Sequence, residues 1–245
     1  MDKNSFLEID KLYHYTSFDS ALKILLSKSL RFGRLASMND INESYRGFFY
    51  NINLCLETNK IQEALSEYLQ ISFTSDTKVF KGYNIPSMWG HYVDRGYGVC
   101  LVFDKEKLLS YLEKDCWCGD VVYNREYNNN IDVVDENVHS FFNANKEGLF
   151  FTKTIDWQYE QEFRVVKRNN VPDLTQDIYF QFKDSLLAII LNFATDINNS
   201  NTVFDSLNVK MIKEILPNMP ILELGNFREE NNLRDSAGVD WTSRI

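Results

Sequence analysis

Proline and glycine are scarce, four and ten among 245 residues, and no Pro-, Gly- or Ser-rich run is long enough to act as a linker. The expected organisation is a single domain over 1–224 with a polar tail over 225–245. No apolar run approaches the ~18 residues of a membrane span, and the first residues, MDKNSFLEIDK, lack the apolar core of a signal peptide. A soluble, cytoplasmic protein with no membrane partner is expected. Positive charge is in deficit too: 26 Lys and Arg against 35 Asp and Glu give a net charge of -9. That weighs against coating duplex nucleic acid by phosphate neutralisation, though it leaves room for a local basic groove. Cysteine is sparse. Cys55 and Cys100 lie in apolar runs and read as packed thiols. Cys116 and Cys118 flank Trp117, closer together than the usual zinc pair, and no second Cys/His pair follows. No metal is expected. A phosphate-binding P-loop, a His-Glu-x-x-His helix and a Gly-x-Ser-x-Gly turn are all missing, and the pair Gly96 and Gly98 lacks the third glycine of a dinucleotide fingerprint.

What is present is organised around residues 86–103. Pro86 suits a first helical position, so a short helix carrying Met88, Trp89 and Tyr92 is expected. Gly96 and Gly98 break it. Val99, Cys100, Leu101, Val102 and Phe103 then read as a strand buried on both faces. With 44% hydrophobic residues the chain can bury a sizeable core around that strand.

Before it, Leu12 and Tyr13 read as the end of a first strand, with His14 where the strand gives way to a helix. Ser17 or Asp19 would cap that helix, whose apolar face is Ala21, Leu22, Leu25 and Leu26. Residues 30–35 alternate like a strand, a polar turn around Asn39, Asp40 and Glu43 opens another helix, 61–69 has helical periodicity, and 71–74 is a short strand. After it, Asp104 caps a helix through Leu108, Leu109 and Leu112. Strands are expected at 121–123, 162–166, 178–182, 187–193 and 221–224. The asparagine-rich stretch 124–130 reads as a loop, 131–151 as a helix with His139 on it, and 198–216 as a loop followed by a helix. Short strands interspersed with helices, without βαβ spacing, imply an α+β fold.

Three places carry side chains a packed core would not ask for. His14 sits at a strand end, where helix-start amides could hold an anion; taken alone it also suits a structural role. Trp89, His91, Tyr92 and Tyr97 could stack on a planar ring or fill a core. Around Trp157, Glu160, Glu162 and Arg164 would share one face of a strand, with Phe163 and Val165 behind. That face is either a solvated edge with an ion pair or a carboxylate presented to a pocket and oriented by Arg164. Trp157 is large enough to anchor the strand in the core.

These pieces together resemble a bacterial family catalogued as a domain of unknown function. The matching residues are Leu12, Tyr13, His14, Tyr15, Thr16 and Ser17; Leu30, Arg31 and Phe32; Asn39, Asp40 and Glu43; and Ser72, Phe73 and Thr74. They continue with Met88, Trp89 and Tyr92; Gly96, Gly98 and Val99; Val122 and Tyr123; and Lys153 with Trp157, Glu160, Glu162 and Arg164. The chain departs from the family pattern at Ser72, where a cysteine is usual, and at Arg95, where a histidine is often found. That family is similar to ADP-ribosyltransferases, particularly nucleic-acid-modifying toxins with a Tyr-His-x-Thr signature, and is linked to phage defence and toxin–antitoxin loci. The resemblance implies a split α+β sheet with flanking helices, bent around NAD as substrate. It assigns catalysis to His14, Tyr92, Glu160 and Glu162, with Glu162 favoured for the nicotinamide ribose, and NAD binding to His14, Tyr15, Thr16, Trp89, Tyr92 and Arg164. The partners it implies are a protein or nucleic-acid acceptor and an antitoxin or immunity protein.

The chemistry is coherent. Breaking the nicotinamide–ribose bond creates an oxocarbenium-like cation that a carboxylate stabilises. Tyr92 could stack on nicotinamide, His14 could fix the adenosine side, and Glu160 could deprotonate the acceptor. NAD hydrolysis by the same site, and a catalytically inert ligand-sensing or partner-binding domain of the same fold, are the competing expectations.

Overall fold

The structure is a computed structural model and describes residues 3–35, 38, 63–93, 98–125, 138–170, 175–192, 207–225 and 233–242. The expected turn at Asn39, Asp40 and Glu43, Cys55, Arg95, Gly96, Tyr97 and the stretch 126–137 lie outside them.

The strand expected at 99–103 is the centre of the fold. It runs Gly98–Asp104, and Val99 to Phe103 are all fully buried. Its alternation divides the core. Val99, Leu101 and Phe103 face one layer, with the helices Phe18–Ser27 and Leu207–Ile215. Cys100 and Val102 face the other, with Tyr13, Tyr15, Met88 and Trp89. Across the sheet the order is Leu233–Arg234, Ile221–Leu224, Leu186–Asn192, Gly98–Asp104, Lys11–Ser17, Tyr68–Ser75, Glu162–Arg168 and Trp117–Asp120. Pairing is antiparallel except between Leu186–Asn192 and Ile221–Leu224. The result is an α+β domain with one mixed central sheet and flanking helices. We call Lys11–Ser17 β1, Gly33–Arg34 β2, Tyr68–Ser75 β3, Gly98–Asp104 β4 and Glu162–Arg168 β5.

One seam of this sheet is incomplete. β1 and β3 pair only at Leu12↔Ser75 and Tyr13↔Thr74, whereas β1 pairs with β4 over seven residues, from Lys11↔Asp104 to Ser17↔Gly98. Farther along the same strand, β2 pairs with β3 at Gly33↔Gln70 and Arg34↔Leu69. Ile71, Ser72 and Phe73 therefore lie where β1 has left β3 and β2 has not yet joined it.

Caps and strand starts follow the sequence closely. Ser17 caps Phe18–Ser27 by accepting from Ser20 N, Asp104 caps Lys105–Ser110 by accepting from Lys107 N, and Pro86 occupies the first turn of Pro86–His91. Four expectations change. His14 is mid-strand, because pairing with β4 carries β1 on to Ser17. The helix expected at 61–69 stops in a turn at Ser66 and Glu67, and Tyr68 and Leu69 open β3 instead. There the cross-strand pairs Tyr68↔Arg168 and Leu69↔Lys167 override helical periodicity. The helix expected over 131–151 is two helices, Val138–Ala144 and Lys146–Phe150, divided at Asn145. Within the stretch read as a polar tail, Leu233–Arg234 pairs with Ile221–Leu224, and Leu233 and Trp241 are buried. Among the described residues no helix is long and apolar enough to cross a membrane.

Candidate functional site

The incomplete seam opens into a cavity of about 340 Å³, within the usual range for small-molecule sites. His14 from β1, Gln70 and Ser72 from β3, Tyr92, Lys153, Glu160 and Glu162 all line it. Residues separated by some 150 positions in sequence thus meet at one opening.

His14 stands beside the gap. Its Nδ1 lies 3.0 Å from the Ser72 carbonyl oxygen. A carbonyl only accepts, so Nδ1 carries the proton, and in the neutral ring Nε2 is an acceptor. Burial lowers the His14 pKa below the ordinary imidazole value, against the Ser72 bond, which raises it. The neutral tautomer is thereby favoured near pH 7.

Tyr92 follows the helix Pro86–His91. That helix is fixed by Met88 and Trp89, which are buried in the core, and by the Trp89 indole donating to Tyr83 O at 2.8 Å. So placed, the Tyr92 hydroxyl donates to Glu160 Oε1. Glu160 ends a 3₁₀ helix, Ile155–Glu160, and does not lie on the glutamate strand as its spacing suggested. The next residue, Gln161, adopts a left-handed conformation with φ 47°, and β5 begins at Glu162. Across this left-handed residue Glu160 and Glu162 both line the same cavity. Lys153 comes from the short strand Thr152–Thr154 and binds both carboxylates, Glu160 Oε2 at 2.7 Å and Glu162 Oε2 at 3.0 Å. Arg164 grips Glu162 with a fork, Nε to Oε1 and Nη2 to Oε2, each 2.8 Å, and donates through Nη1 to Phe150 O at 2.7 Å.

Glu160, Glu162, Lys153 and Arg164 are all buried, so the solvated edge face is excluded. Among the described residues, two carboxylates and two cations meet here and balance. Burial would raise the Glu162 carboxyl, but the charge and hydrogen bonds of Arg164, the charge of Lys153 and a hydrogen bond from Ser72 outweigh it and hold the group at about 2. Glu162 is held on Oε1 by Arg164 and on Oε2 by both Arg164 and Lys153. Glu160 accepts from Tyr92 and Lys153 and has room for further donors.

Of the residues singled out from sequence, His14, Tyr15, Tyr92, Glu160 and Glu162 line the cavity. Tyr15 also donates its hydroxyl to Gly82 O at 2.6 Å. Thr16, Trp89 and Arg164 do not line it; Trp89 is a core residue and Arg164 acts behind Glu162. His91 is exposed, beside Tyr159. Trp157, expected as a core anchor, is only half-buried, and its ring lies 5.1 Å from Lys153 Nζ. Three contributors had no role from sequence. Lys153 and Ser72 stood among the motif residues without one, and Gln70 looks like an ordinary strand residue until its neighbours are known. Among the described residues no cluster of three or more His, Cys, Asp or Glu is placed to hold a metal ion.

No curated protein and no solved structure matches this chain. A family model described as a protein of unknown function (DUF2971) matches residues 88–165, the span that carries Tyr92, Lys153, Glu160, Glu162 and Arg164, and supports placing the chain with a domain family of unknown function.

Proposed function

We propose that the protein is an NAD-dependent ADP-ribosyltransferase with the split-sheet fold of that class, acting on a cellular protein or nucleic acid. The observation that carries this reading is the convergence of His14, Tyr92, Glu160 and Glu162 on one cavity at an open seam of the sheet. A toxin or phage-defence setting, with an antitoxin or immunity partner, belongs to the same proposal and rests on the resemblance.

In this reading NAD enters the seam and the bond between nicotinamide and ribose C1′ breaks, its electron pair leaving with nicotinamide. The ribosyl cation that forms is met by the buried carboxylates, and an acceptor nucleophile attacks C1′ and gives up its proton to solvent water. Lone-pair supply favours Glu160 as the carboxylate that touches the ribose, since Glu162 is already engaged three times, twice by Arg164 and once by Lys153. Glu162 is then the positioning residue: it fixes Lys153, and Lys153 fixes Glu160. Neutral His14 offers Nε2 to a ribose or base donor.

The test is incubation with NAD labelled in the adenylate half and a bacterial lysate, followed by separation of protein, RNA and DNA. A labelled macromolecule with release of nicotinamide is expected, and Glu160→Gln should slow release by about 10²–10³, the usual loss when one electrostatic contact to a transition state is removed. Nicotinamide release with no labelled fraction would make the protein a hydrolase. No consumption of NAD with any fraction would overturn the reading.

A further inference from the structure

We propose that Arg31 holds the diphosphate of NAD, releasing Asp177 to do so; this rests on the transferase reading above. Charge points to it first. Among the described residues, the Lys, Arg, Asp and Glu side chains lining the cavity are Arg31, Lys153, Glu160 and Glu162. Lys153 is buried and bound to both carboxylates, at 2.7 and 3.0 Å, and Arg164 behind them completes a balanced set. That set offers no net attraction to a ligand with two negative phosphates. Arg31 stands apart from it. Its guanidinium is 61% exposed and donates through Nη1 to Asp177 Oδ1 at 3.4 Å, and the Asp177 side chain is itself 42% exposed. A long ion pair in solvent contributes little, so this cation can change partners at small cost.

Position agrees with charge. β3 forms one wall of the cavity, and its register supplies a scale. Glu162 pairs with Thr74 at one end of that wall, and Gly33 pairs with Gln70 at the other. Four residues of strand separate the two, about 13 Å. Arg31 lies two residues before Gly33, on the strand Ser29–Arg31, which is fixed by pairing with Tyr179–Gln181. The carboxylates thus stand toward the Thr74 end and Arg31 toward the Gln70 end. In NAD the reacting ribose carries the diphosphate on its C5′. A ligand with that ribose at the carboxylates runs its diphosphate along the wall, and the long arginine side chain covers the remaining distance. The planar guanidinium fork matches two phosphate oxygens at once. Since the phosphates take no part in the bond that breaks, the contact is the same before and during reaction, and Arg31 sets affinity rather than rate.

The experiment measures NAD affinity by calorimetry on the full chain, for the parent and for Arg31→Lys, Arg31→Gln and Arg31→Glu, with melts to confirm that these exposed substitutions leave the fold intact. Arg31→Gln should bind about tenfold more weakly, the low end for a charge-assisted bond because the guanidinium is exposed. Arg31→Lys, which keeps the charge without the fork, should lose less, and Arg31→Glu more. Added salt should weaken the parent more steeply than Arg31→Gln. In turnover, KM for NAD should rise in Arg31→Gln with kcat unchanged. Asp177→Asn should bind NAD at least as tightly as the parent; weaker binding there would overturn the exchange of partners. Equal affinity in the parent and Arg31→Gln, or losses that do not follow charge, would overturn the role of Arg31 and leave the transferase reading standing. NAD held through Arg31 but never consumed would end the transferase reading and leave the diphosphate contact. Failure of the parent to bind NAD would end both.

Discussion

Lys153 is the point where the site is most exposed to a single substitution. Its ammonium is shared by Glu160 and Glu162 at 2.7 and 3.0 Å, and all three side chains are buried. With Arg164 the four charges sum to zero. Lys153→Met keeps most of the side-chain length but leaves one uncompensated carboxylate in the interior. Removing one partner of a buried pair costs about 3–5 kcal/mol. For a chain of this size each kcal/mol moves the melting temperature by about 2–4 °C, so a fall of about 6–20 °C is expected at pH 7. Adding Glu160→Gln should restore part of the stability, because the carboxamide still accepts from Tyr92 and removes the excess charge. Circular-dichroism melts of the parent, the single and the double variant decide the matter. If Lys153→Met melts within about 2 °C of the parent, or the double variant is less stable than the single, the charge balance described here is not what holds the site.

Glu162 predicts an acid limb of unfolding. Its folded pKa of about 2 lies below the value of about 4.3 for an unfolded chain, so its stabilisation is complete above the unfolded value and is lost as pH falls from there toward 2. Urea midpoints of the parent should drop through that window, and Glu162→Gln should flatten the slope; an unchanged slope would refute the assignment. Gly98→Ala tests the closeness of β4 to its surroundings, since an added Cβ would lie 2.3 Å from Val93 Cβ and 2.7 Å from Thr16 O. Overpacking of this kind costs about 1–3 kcal/mol, read as a lower urea midpoint at constant slope; no shift would show that the contact relaxes freely.

Much of the scaffold is legible in the sequence because its signals are local. The apolar run 99–103, the caps at Ser17 and Asp104 and Pro86 at a helix start each depend on a few neighbouring residues, and each appears where expected. The gathering of His14, Tyr92, Glu160 and Glu162 is what the resemblance implies, and all four line one cavity. What escaped depends on distant partners. The strand face at 160–164 assumed period two throughout, and a single left-handed residue, Gln161, breaks it. Glutamine carries no composition cue for that conformation as glycine would. Lys153 gains its place only when a carboxylate seven residues on and another nine on turn back toward it. Gln70 alternates with buried Leu69 and Ile71 like any strand residue, and it lines a cavity that opens only because β1 leaves β3 after Tyr13.

That departure also explains why polar residues can sit so deep in this sheet. A strand edge without a neighbour leaves backbone groups that must find other partners. At the open seam the Ser72 carbonyl is bonded by an imidazole, and the Ser72 hydroxyl accepts from Gln70 Nε2. One residue at the gap thus ties His14 on one side to Gln70 on the other. A closed β1–β3 ladder would bring a backbone strand where the cavity now lies, and would displace His14, Gln70 and Glu162 from a common wall. The site is therefore a consequence of sheet register. Two residue pairs at Leu12 and Tyr13 hold the strands together at one end, two at Gly33 and Arg34 hold β2 at the other, and the residues between them supply the polar groups that a small molecule would meet.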